Sequence, residues 1–436
     1  MAVVELKLAL AVLYAELITY AAALLVALSP AASKKKRASF DGYTLYHVTP
    51  STIAHLELLR NIERYFEKVD VWHSPAYNSN LETYDILIVP SERRKFENLM
   101  TEHKLNFASS KLDIGKLIRS SEFEALTLPE VKSFLKGINS QKSISHVADF
   151  DLSIYHNHAE MVNFLHVVHD TYPEITALGT LGTTLEGRNM AYIKIGRPSG
   201  SDKPAIWIES SLHARDEITN FVDNLDIFVV PVVNVDGFEY TKHYNRLWRK
   251  TRSGPRCNKR GECCYGVDPN RNFGWCWGCN ENYISHDPCS LNYVGPNEFS
   301  EIETRNVAKK VLSLGKNLKV FLDVHAYGQW MGYPFLERDH KELQRAAQLA
   351  CDKIGNVSGT YYYAFSNSNL MSKNHTTGTA KDWAKGGAGI KYSYTIEVRP
   401  AEAYPYGFLM PQRQILPNAI ELFEGLKSFM RTALED

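Results

Sequence analysis

The chain has 436 residues, and its 49 Lys and Arg residues balance 49 Asp and Glu residues, which leaves no formal net charge. This balance lacks the basic excess that is typical of nucleic-acid binding. A chain with 44% apolar and 22% charged residues is also not wholly disordered. The length corresponds to roughly two to three domains. We therefore expect a folded protein of more than one domain and no nucleic-acid partner.

The N-terminal segment 8–28 is apolar apart from Glu16, and small residues follow at 29–33. This pattern is typical of a signal peptide, so we expect residues 1–33 to be removed and the protein to be secreted and extracellular. The alternative is a signal anchor, because the run is long enough to span a bilayer. The basic run Lys34–Arg37 disfavours an anchor, since positive charge after a span tends to stay in the cytosol. We expect no stable membrane association.

Residues 40–120 predict a small α+β domain, and residues 121–146 have the polar composition of an exposed connector. The domain contains two strand-like runs and two segments with helical apolar spacing. The strand-like runs are Tyr43–Val48 and Tyr84–Val89, and the helical segments are Leu56–Glu67 and Glu92–His103.

Residues 147–436 alternate apolar, β-branched segments with segments of helical spacing, most clearly Glu160–His169 and Glu301–Leu314. The strand-like segments are LEGRNMAYIKIG, PAIWIESSLHA, LDIFVVPVVNVDG and VFLDVHAYG. This alternation predicts an α/β fold with helices on both faces of the sheet. In such sheets the polar residues at the strand ends build the site.

Two histidines and a carboxylate follow separate predicted strands. His213 and Asp216 come after PAIWIESS, and His325 comes after KVFLD. Two histidines and a carboxylate with an open fourth position suit a catalytic zinc ion, which activates water and polarises a carbonyl. Because isolated histidines are more often ordinary loop or core residues, the hypothesis of one Zn²⁺ per chain depends on the surrounding residues.

Three further residues strengthen that hypothesis. Glu397 lies in the strand-like run Tyr394–Val398, where a carboxylate is costly to bury unless it has a role or a partner; an ion pair with Arg399 is the alternative. Asn270 and Arg271 are adjacent, and together they could hold a carboxylate with an amide and a charged fork.

A series of motifs occurs in the order found in a known family. The motifs are LEGRNMAYIKIG, PAIWIESSLHAR, DIFVVPVVNVDGF, NRLWRKTRSG, GVDPNRNFGW, FSEIET, FLDVHAYG, TGTAKDWA, YSYTIEVRP and YGFLMPQRQILP. From about Tyr155 to the C-terminus the chain resembles the zinc metallocarboxypeptidases of the pancreatic A/B type, and residues 40–120 resemble that family's inhibitory propeptide. The resemblance implies a mixed sheet with helices on both faces, and a secreted zymogen that hydrolyses the C-terminal peptide bond of peptides and proteins.

The resemblance also implies roles for individual residues. His213, Asp216 and His325 would bind zinc, Glu397 would be the general base, Arg249 would stabilise the oxyanion, Asn270 and Arg271 would hold the free C-terminal carboxylate, and Arg215 would belong to the neighbouring subsite. The implied partners are peptide or protein C-termini and a trypsin-like protease that cuts the connector at Lys136 or Lys142. We expect a monomer.

The chain departs from that family in three places. Asp216 stands where the family has a zinc-binding glutamate, and it can reach zinc if the backbone moves closer; Glu217 is the neighbouring alternative. The segment 219–225 is short where the family has a helix and a connector, which suggests an alternative splice form or an incomplete gene model. Asn374 stands where the family has a mobile tyrosine, in a glycosylation sequon that we expect to be unused.

Lys381 precedes Asp382–Trp383, at the place of the residue on the floor of the family's pocket for the C-terminal side chain. A buried ammonium there would pair with a carboxylate and disfavour apolar or basic side chains. We therefore expect a preference for C-terminal Glu or Asp. The alternative is that Lys381 extends to solvent, which would leave a broad or apolar preference.

Six of the seven cysteines lie between Cys257 and Cys289, and Cys351 stands apart as an expected free buried thiol. The family carries a disulfide at the places of Cys264 and Cys289. The other four cysteines could form two more bridges of open connectivity, and the CWGC spacing also permits a structural zinc.

Two other functional classes remain open at this point. The first is a protein of the same fold that binds peptide C-termini or a partner without hydrolysis. The second is a cysteine-rich interaction module with a membrane anchor, which depends only on segment 8–28 and the cysteine cluster. The presence of Glu397, Arg249, Asn270 and Arg271 favours the enzyme.

Overall fold

The structure is a computed structural model. It describes residues 37–66, 68–73, 83–110, 113–119, 147, 150–151, 154–199, 203–211, 225–279, 284–335, 339–369, 377–401 and 407–435. Within these ranges no helix is long and apolar enough to cross a membrane. The expected leader, the connector 121–146, the residues His213, Arg215 and Asp216, and Asn374 lie outside the described residues.

The N-terminal domain is a four-stranded antiparallel sheet in the order β2-β3-β1-β4. Its elements are β1 (Thr44–Thr49), α1 (Ile53–Arg60), β2 (Val69–His73), β3 (Tyr84–Ile88), α2 (Arg93–Glu102) and β4 (Asn106–Ser109). Successive side chains of a strand point to opposite faces. In β1, Tyr46 and Val48 therefore pack with Phe96 of α2, whereas Leu45 joins a second cluster that includes Phe408 from far along the chain. The sheet is thus buried on both faces.

The C-terminal domain is an eight-stranded mixed sheet in the order β13-β12-β14-β11-β7-β8-β6-β5. Its strands are β5 (Thr176–Thr183), β6 (Asn189–Ile195), β7 (Ala205–Ser210), β8 (Asp226–Val230), β11 (Leu318–Ala326), β12 (Trp330–Phe335), β13 (Tyr363–Asn369) and β14 (Tyr392–Val398), with a separate two-stranded ribbon of β9 (Arg256–Cys257) and β10 (Cys263–Cys264). Its helices are α3 (His158–Thr171), α4 (Val235–His243), α5 (Ile302–Leu314), α6 (His340–Ser358), α7 (Ala380–Gly386) and α8 (Ile415–Glu435).

Two hydrophobic cores cover the two faces of this sheet, as the sequence predicts. The alternation within β11 shows the division, because Val320 and Leu322 belong to one core and Phe321 belongs to the other. Helices α3, α6 and α8 contribute to the first core, and α4, α5 and α7 contribute to the second. The parallel strands β14, β11, β7 and β8 lie at the centre, so their carboxyl ends meet at one edge.

Two predicted elements differ from the structure. The helix expected over Leu56–Glu67 ends at Arg60, where Asn61 donates its side-chain amide to the carbonyl of Glu57, and a short 3-10 turn follows at Ile62–Arg64. The strand expected over LDIFVVPVVNVDG ends at Val230 because Pro231 cannot donate to the ladder. Asn234 then caps helix α4 by accepting a hydrogen bond of 3.0 Å from the amide of Gly237.

The structure also gives the connectivity of the cysteines. Cys264 pairs with Cys289 as the family resemblance implies, and Cys257 pairs with Cys263. Cys276 pairs with Cys279, so the CWGC sequence forms a disulfide and the structural-zinc alternative is wrong. Cys351 is a free buried thiol, as expected.

Candidate active site

His325 lies at the carboxyl end of the central strand β11, with only 1% of its surface exposed. Its Nε2 atom is 2.6 Å from Oδ2 of Asp323, two residues earlier on the same face of the strand. An imidazole whose one nitrogen is held by a carboxylate presents the other nitrogen in a fixed direction, which is the usual arrangement of a metal-binding histidine. The surroundings of His325 therefore suit a zinc ligand.

Glu397 lies at the matching position of the neighbouring strand. Strands β11 and β14 are parallel, and their register pairs His325 with Glu397. Glu397 is half-buried, whereas the residues on either side of it, Ile396 and Val398, are buried in the first core. The register therefore brings a carboxylate beside the expected metal position, where a general base is needed.

Arg249 and Arg271 converge on the carboxylate of Asp268. Nη2 of Arg249 is 2.7 Å from Oδ2 of Asp268, and Nη1 of Arg271 is 3.9 Å from the same oxygen. Burial lowers the pKa of Arg271 from its ordinary value, while the negative charge of Asp268 opposes the shift. Two guanidinium groups are thus fixed close together around one buried anion.

Asn270 links this group to His325. Its Nδ2 atom is 3.2 Å from Nε2 of His325 and 3.3 Å from Oδ2 of Asp323, while its Oδ1 accepts a hydrogen bond of 2.8 Å from the amide of Ala380. The amide expected to hold a substrate carboxylate therefore also ties β11 to the start of helix α7.

Lys381 lies in the first turn of α7, and its side chain is 4% exposed. Its Nζ atom is 2.5 Å from Oδ1 of the adjacent Asp382. The solvent-exposed alternative for Lys381 is therefore wrong. Gly378, three residues before Lys381, has φ of +73°. A Cβ atom there would lie 2.3 Å from the carbonyl oxygen of Arg271, so only glycine lets the chain before α7 pass this close to the Arg271 backbone.

Glu209 and Asp323 form a buried carboxylate pair that we did not identify from the sequence. They face each other in register on β7 and β11, and neither has any exposed surface. Burial, and then the negative charge of Asp323, raise the pKa of Glu209 well above its ordinary value. Trp207 donates its indole N–H to Oε2 of Glu209 at 2.7 Å. The sequence feature that could have identified the pair is an acidic residue within each of the apolar runs PAIWIESS and VFLDVH.

The N-terminal domain contacts the C-terminal domain beside this group of residues. Glu63 accepts hydrogen bonds from Ser290 and Asn292 of the C-terminal domain, and its carboxylate interacts electrostatically with Arg249 and Arg271. Burial is the largest influence and raises the pKa of Glu63.

An aromatic contact fixes the same interface. The ring of Trp72 meets that of Phe408 edge-on at 5.4 Å, and Phe408 meets the ring of Tyr327, which is two residues beyond His325, at 4.8 Å. A Cβ atom at Gly407 would lie 2.8 Å from the Trp72 ring, so this approach requires a residue without a side chain.

Comparison with protein families agrees with this geometry. A family model described as zinc carboxypeptidase matches residues 161–220 and 215–425, and a model described as carboxypeptidase activation peptide matches residues 46–121. The two parts of the first match overlap at residues 215–220, which include Asp216 and the start of the short stretch 219–225.

Individual relatives extend over most of the chain. Carboxypeptidase B of Astacus astacus is 38% identical over 303 residues, covering 64% of this chain and 96% of that protein. Carboxypeptidase A2 of Mus musculus is 33% identical over 422 residues, covering 90% and 94%. The crystal structure of carboxypeptidase A from Helicoverpa armigera shares the fold, with a TM-score of 0.75, 23% identity, and coverage of 90% of this chain and 98% of that chain.

Proposed function

Since the chain belongs to the zinc carboxypeptidase family, we propose that it is the secreted, monomeric zymogen of a carboxypeptidase that prefers acidic C-terminal residues of peptides and proteins. The proposed organisation is a leader at 1–33, an inhibitory domain at 40–120, a connector at 121–146 and a catalytic domain at 147–436. The observation that carries the enzymatic proposal is the register of His325 with Glu397, beside the fixed pair Arg249 and Arg271.

His325 would hold one Zn²⁺ together with His213 and Asp216. The described part of this set fits the ion, because His325 is buried at a strand end and held through one nitrogen by Asp323. A bound zinc ion would supply a water molecule of lowered pKa and polarise the scissile carbonyl.

The protein's own residues supply the remaining chemistry. Glu397 takes the proton of the attacking water and returns it to the leaving amine. Arg249 places a fixed positive charge where the carbonyl oxygen becomes negative; Asp268 holds its guanidinium at 2.7 Å, which limits the reorganisation needed during the reaction.

Asn270 and Arg271 would bind the free carboxylate of the substrate. A cation and an amide next to the reacting centre restrict cleavage to the last peptide bond, which makes the enzyme an exopeptidase, and Arg215 would contact the preceding residue. Glu63 brings a carboxylate of the N-terminal domain towards Arg249 and Arg271. The same charge that a substrate C-terminus carries would therefore be supplied by the inhibitory domain until a trypsin-like protease cuts the connector.

Lys381 supports the proposed acidic preference. It is a buried cation at the start of α7, and Ala380 of the same turn contacts Asn270. Asp382 already neutralises part of its charge, so a substrate carboxylate would share the ammonium with Asp382. An apolar or basic substrate side chain would gain nothing from this group.

The test is zinc content and hydrolysis of the purified chain before and after limited trypsin digestion. We expect about one zinc per chain, cleavage at Lys136 or Lys142, a core that starts near Ser143, and hydrolysis of blocked dipeptides only after cleavage. Glu397→Gln is the control, because it removes the base and leaves the metal ligands in place. A folded chain without zinc contradicts the proposal, and a zinc-loaded chain that binds peptides without cleaving them favours the non-catalytic alternative.

Secretion is tested separately by expression in eukaryotic cells. Mass spectrometry of the protein in the medium should find an N-terminus after residue 33. A chain that stays with the membrane fraction and keeps segment 8–28 would support the signal anchor.

A further inference from the structure

We propose that Asp323 is a positioning residue for the metal site: it fixes the ring of His325 so that Nδ1, and not Nε2, is the atom offered to zinc. This inference rests on the proposed function. It concerns the orientation of one ligand and adds a residue that the sequence resemblance does not assign.

The contact between the two residues is short and buried. Nε2 of His325 and Oδ2 of Asp323 are 2.6 Å apart, and their side chains are 2% and 0% exposed. A buried carboxylate can only accept hydrogen bonds, so Nε2 must carry a proton in this contact. The neutral tautomer that remains has its lone pair on Nδ1, and a metal ligand must be an unprotonated nitrogen.

The strand geometry explains why Asp323 is suited to this role. Residues two apart on a strand project from the same face, so Asp323 lies behind His325, further from the strand end. The parallel neighbours β7 and β14 hold β11 on both sides and keep the strand in place.

Asn270 holds the Asp323 carboxylate from a third direction. Its Nδ2 atom donates to the same Oδ2 atom at 3.3 Å, and its Oδ1 accepts from the amide of Ala380. With Nε2 protonated, the 3.2 Å approach of Nδ2 to Nε2 is a contact between two donors that share the Asp323 oxygen, and it is not a hydrogen bond. The imidazole, the carboxylate and the amide therefore form one connected group, and the carboxylate is not free to rotate away from the ring. If the ion pair only stabilised the fold, the imidazole of His325 would not need to lie at the carboxyl end of β11 beside Glu397.

The test compares zinc dissociation constants of full-length variants, measured by competition with a fluorescent chelator. Asp323→Leu removes the acceptor and keeps the branching at Cγ, and it should weaken zinc binding about 10–100-fold. Asp323→Asn keeps an oxygen that can accept from Nε2 and should lose less than tenfold. Glu303→Gln, a buried carboxylate in α5, is the matched control and should bind zinc like the wild type.

Circular dichroism of the metal-free variants checks that each one folds, and the absorption spectrum of the Co²⁺-substituted proteins reports the ligand geometry. Asp323→Leu should change that spectrum, and Asp323→Asn should restore most of it. A folded Asp323→Leu variant with wild-type zinc affinity and spectrum overturns the inference while leaving the proposed function intact. If the wild type binds no zinc, or His325→Ala binds it equally well, the proposed function itself fails and the inference fails with it.

Discussion

Glu63 and Asn292 join the two domains through a hydrogen bond of 2.6 Å from Nδ2 of Asn292 to Oε1 of Glu63. Ser290 donates to the other oxygen of the same carboxylate. Arg249 and Arg271, the cations proposed to meet the substrate, interact electrostatically with this carboxylate. We therefore expect both the attachment of the N-terminal domain and the inhibition of the uncut chain to depend on Glu63.

Replacing Glu63 by Ala should make the uncut zymogen measurably active. Hydrogen bonds to a charged group contribute about 1.5–3 kcal/mol, so their loss should raise the fraction of open chains about tenfold or more. The measurement is dipeptide hydrolysis by the uncut chain, and the control is Glu57→Ala, an exposed carboxylate in α1. After trypsin treatment all three proteins should be equally active. If the uncut Glu63→Ala chain hydrolyses the dipeptide no faster than the uncut wild type, inhibition does not depend on this contact.

Replacing Lys381 by Ile should abolish the preference for acidic C-terminal residues. The wild type should cleave a blocked dipeptide ending in Glu at least about tenfold faster than one ending in Phe, which corresponds to about 1.4 kcal/mol, and the variant should reverse the order. Lys385→Met is the matched control, because Lys385 is also buried in α7 but pairs with Asp339 at 2.5 Å. If the wild type cleaves both substrates equally, or the variant leaves the ratio unchanged, Lys381 does not set specificity.

The sequence predicts the parts of the site that carry a local signal. His325 and Glu397 are polar residues at the ends of apolar runs, and that pattern is sufficient to place them on strands. Glu209 and Asp323 are likewise acidic residues in apolar runs. Whether the two carboxylates face each other depends on the register of β7 against β11, which no local sequence pattern specifies. Glu63 and Asn292 are 229 positions apart in the sequence, so local residue spacing could not predict their contact.

Strand β5 shows a different limit of the sequence. Its residues, TALGTLGT, combine threonine with glycine, which weakens an isolated strand, and we did not predict it. In the structure Gly179 lies against the ring of Tyr192 on the neighbouring strand, where a Cβ atom would come within 2.2 Å of the ring. The glycine that weakens the local signal is thus required by packing across the sheet.

Glu303 should make the stability of the chain depend on pH. It lies in the first turn of α5 with 1% exposure, and burial, assisted by the charges of Glu301 and Asp236 and opposed by that of Arg305, raises its pKa to about 8. A folded-state pKa above the unfolded value means that the folded chain holds the proton more tightly. The stabilisation that protonated Glu303 gives the folded chain is complete below pH 4.5, the ordinary pKa of a glutamate, falls as pH rises, and is lost above about pH 8.

The measurement for Glu303 is the free energy of unfolding in urea between pH 5 and pH 8. The wild type should lose up to about 1.4 kcal/mol per pH unit relative to Glu303→Gln, which cannot ionise. Glu298→Gln, at an exposed position, should follow the wild type. A constant difference between wild type and Glu303→Gln across this range would mean that Glu303 does not titrate there.

Asp216→Ala should remove zinc from the chain, whereas Glu217→Ala should leave it bound. The reason is register: Asp216 occupies the place of the family's glutamate three residues after His213, and Glu217 falls one position late. A carboxylate one methylene shorter reaches zinc at about 2.0–2.2 Å only if the backbone approaches more closely, so we expect weaker binding than in a glutamate-ligated relative. Asp216→Glu should then tighten binding if the backbone can relax. The measurements are the zinc content per chain and the zinc dissociation constant from chelator competition. Loss of zinc in Glu217→Ala but not in Asp216→Ala would identify Glu217 as the ligand.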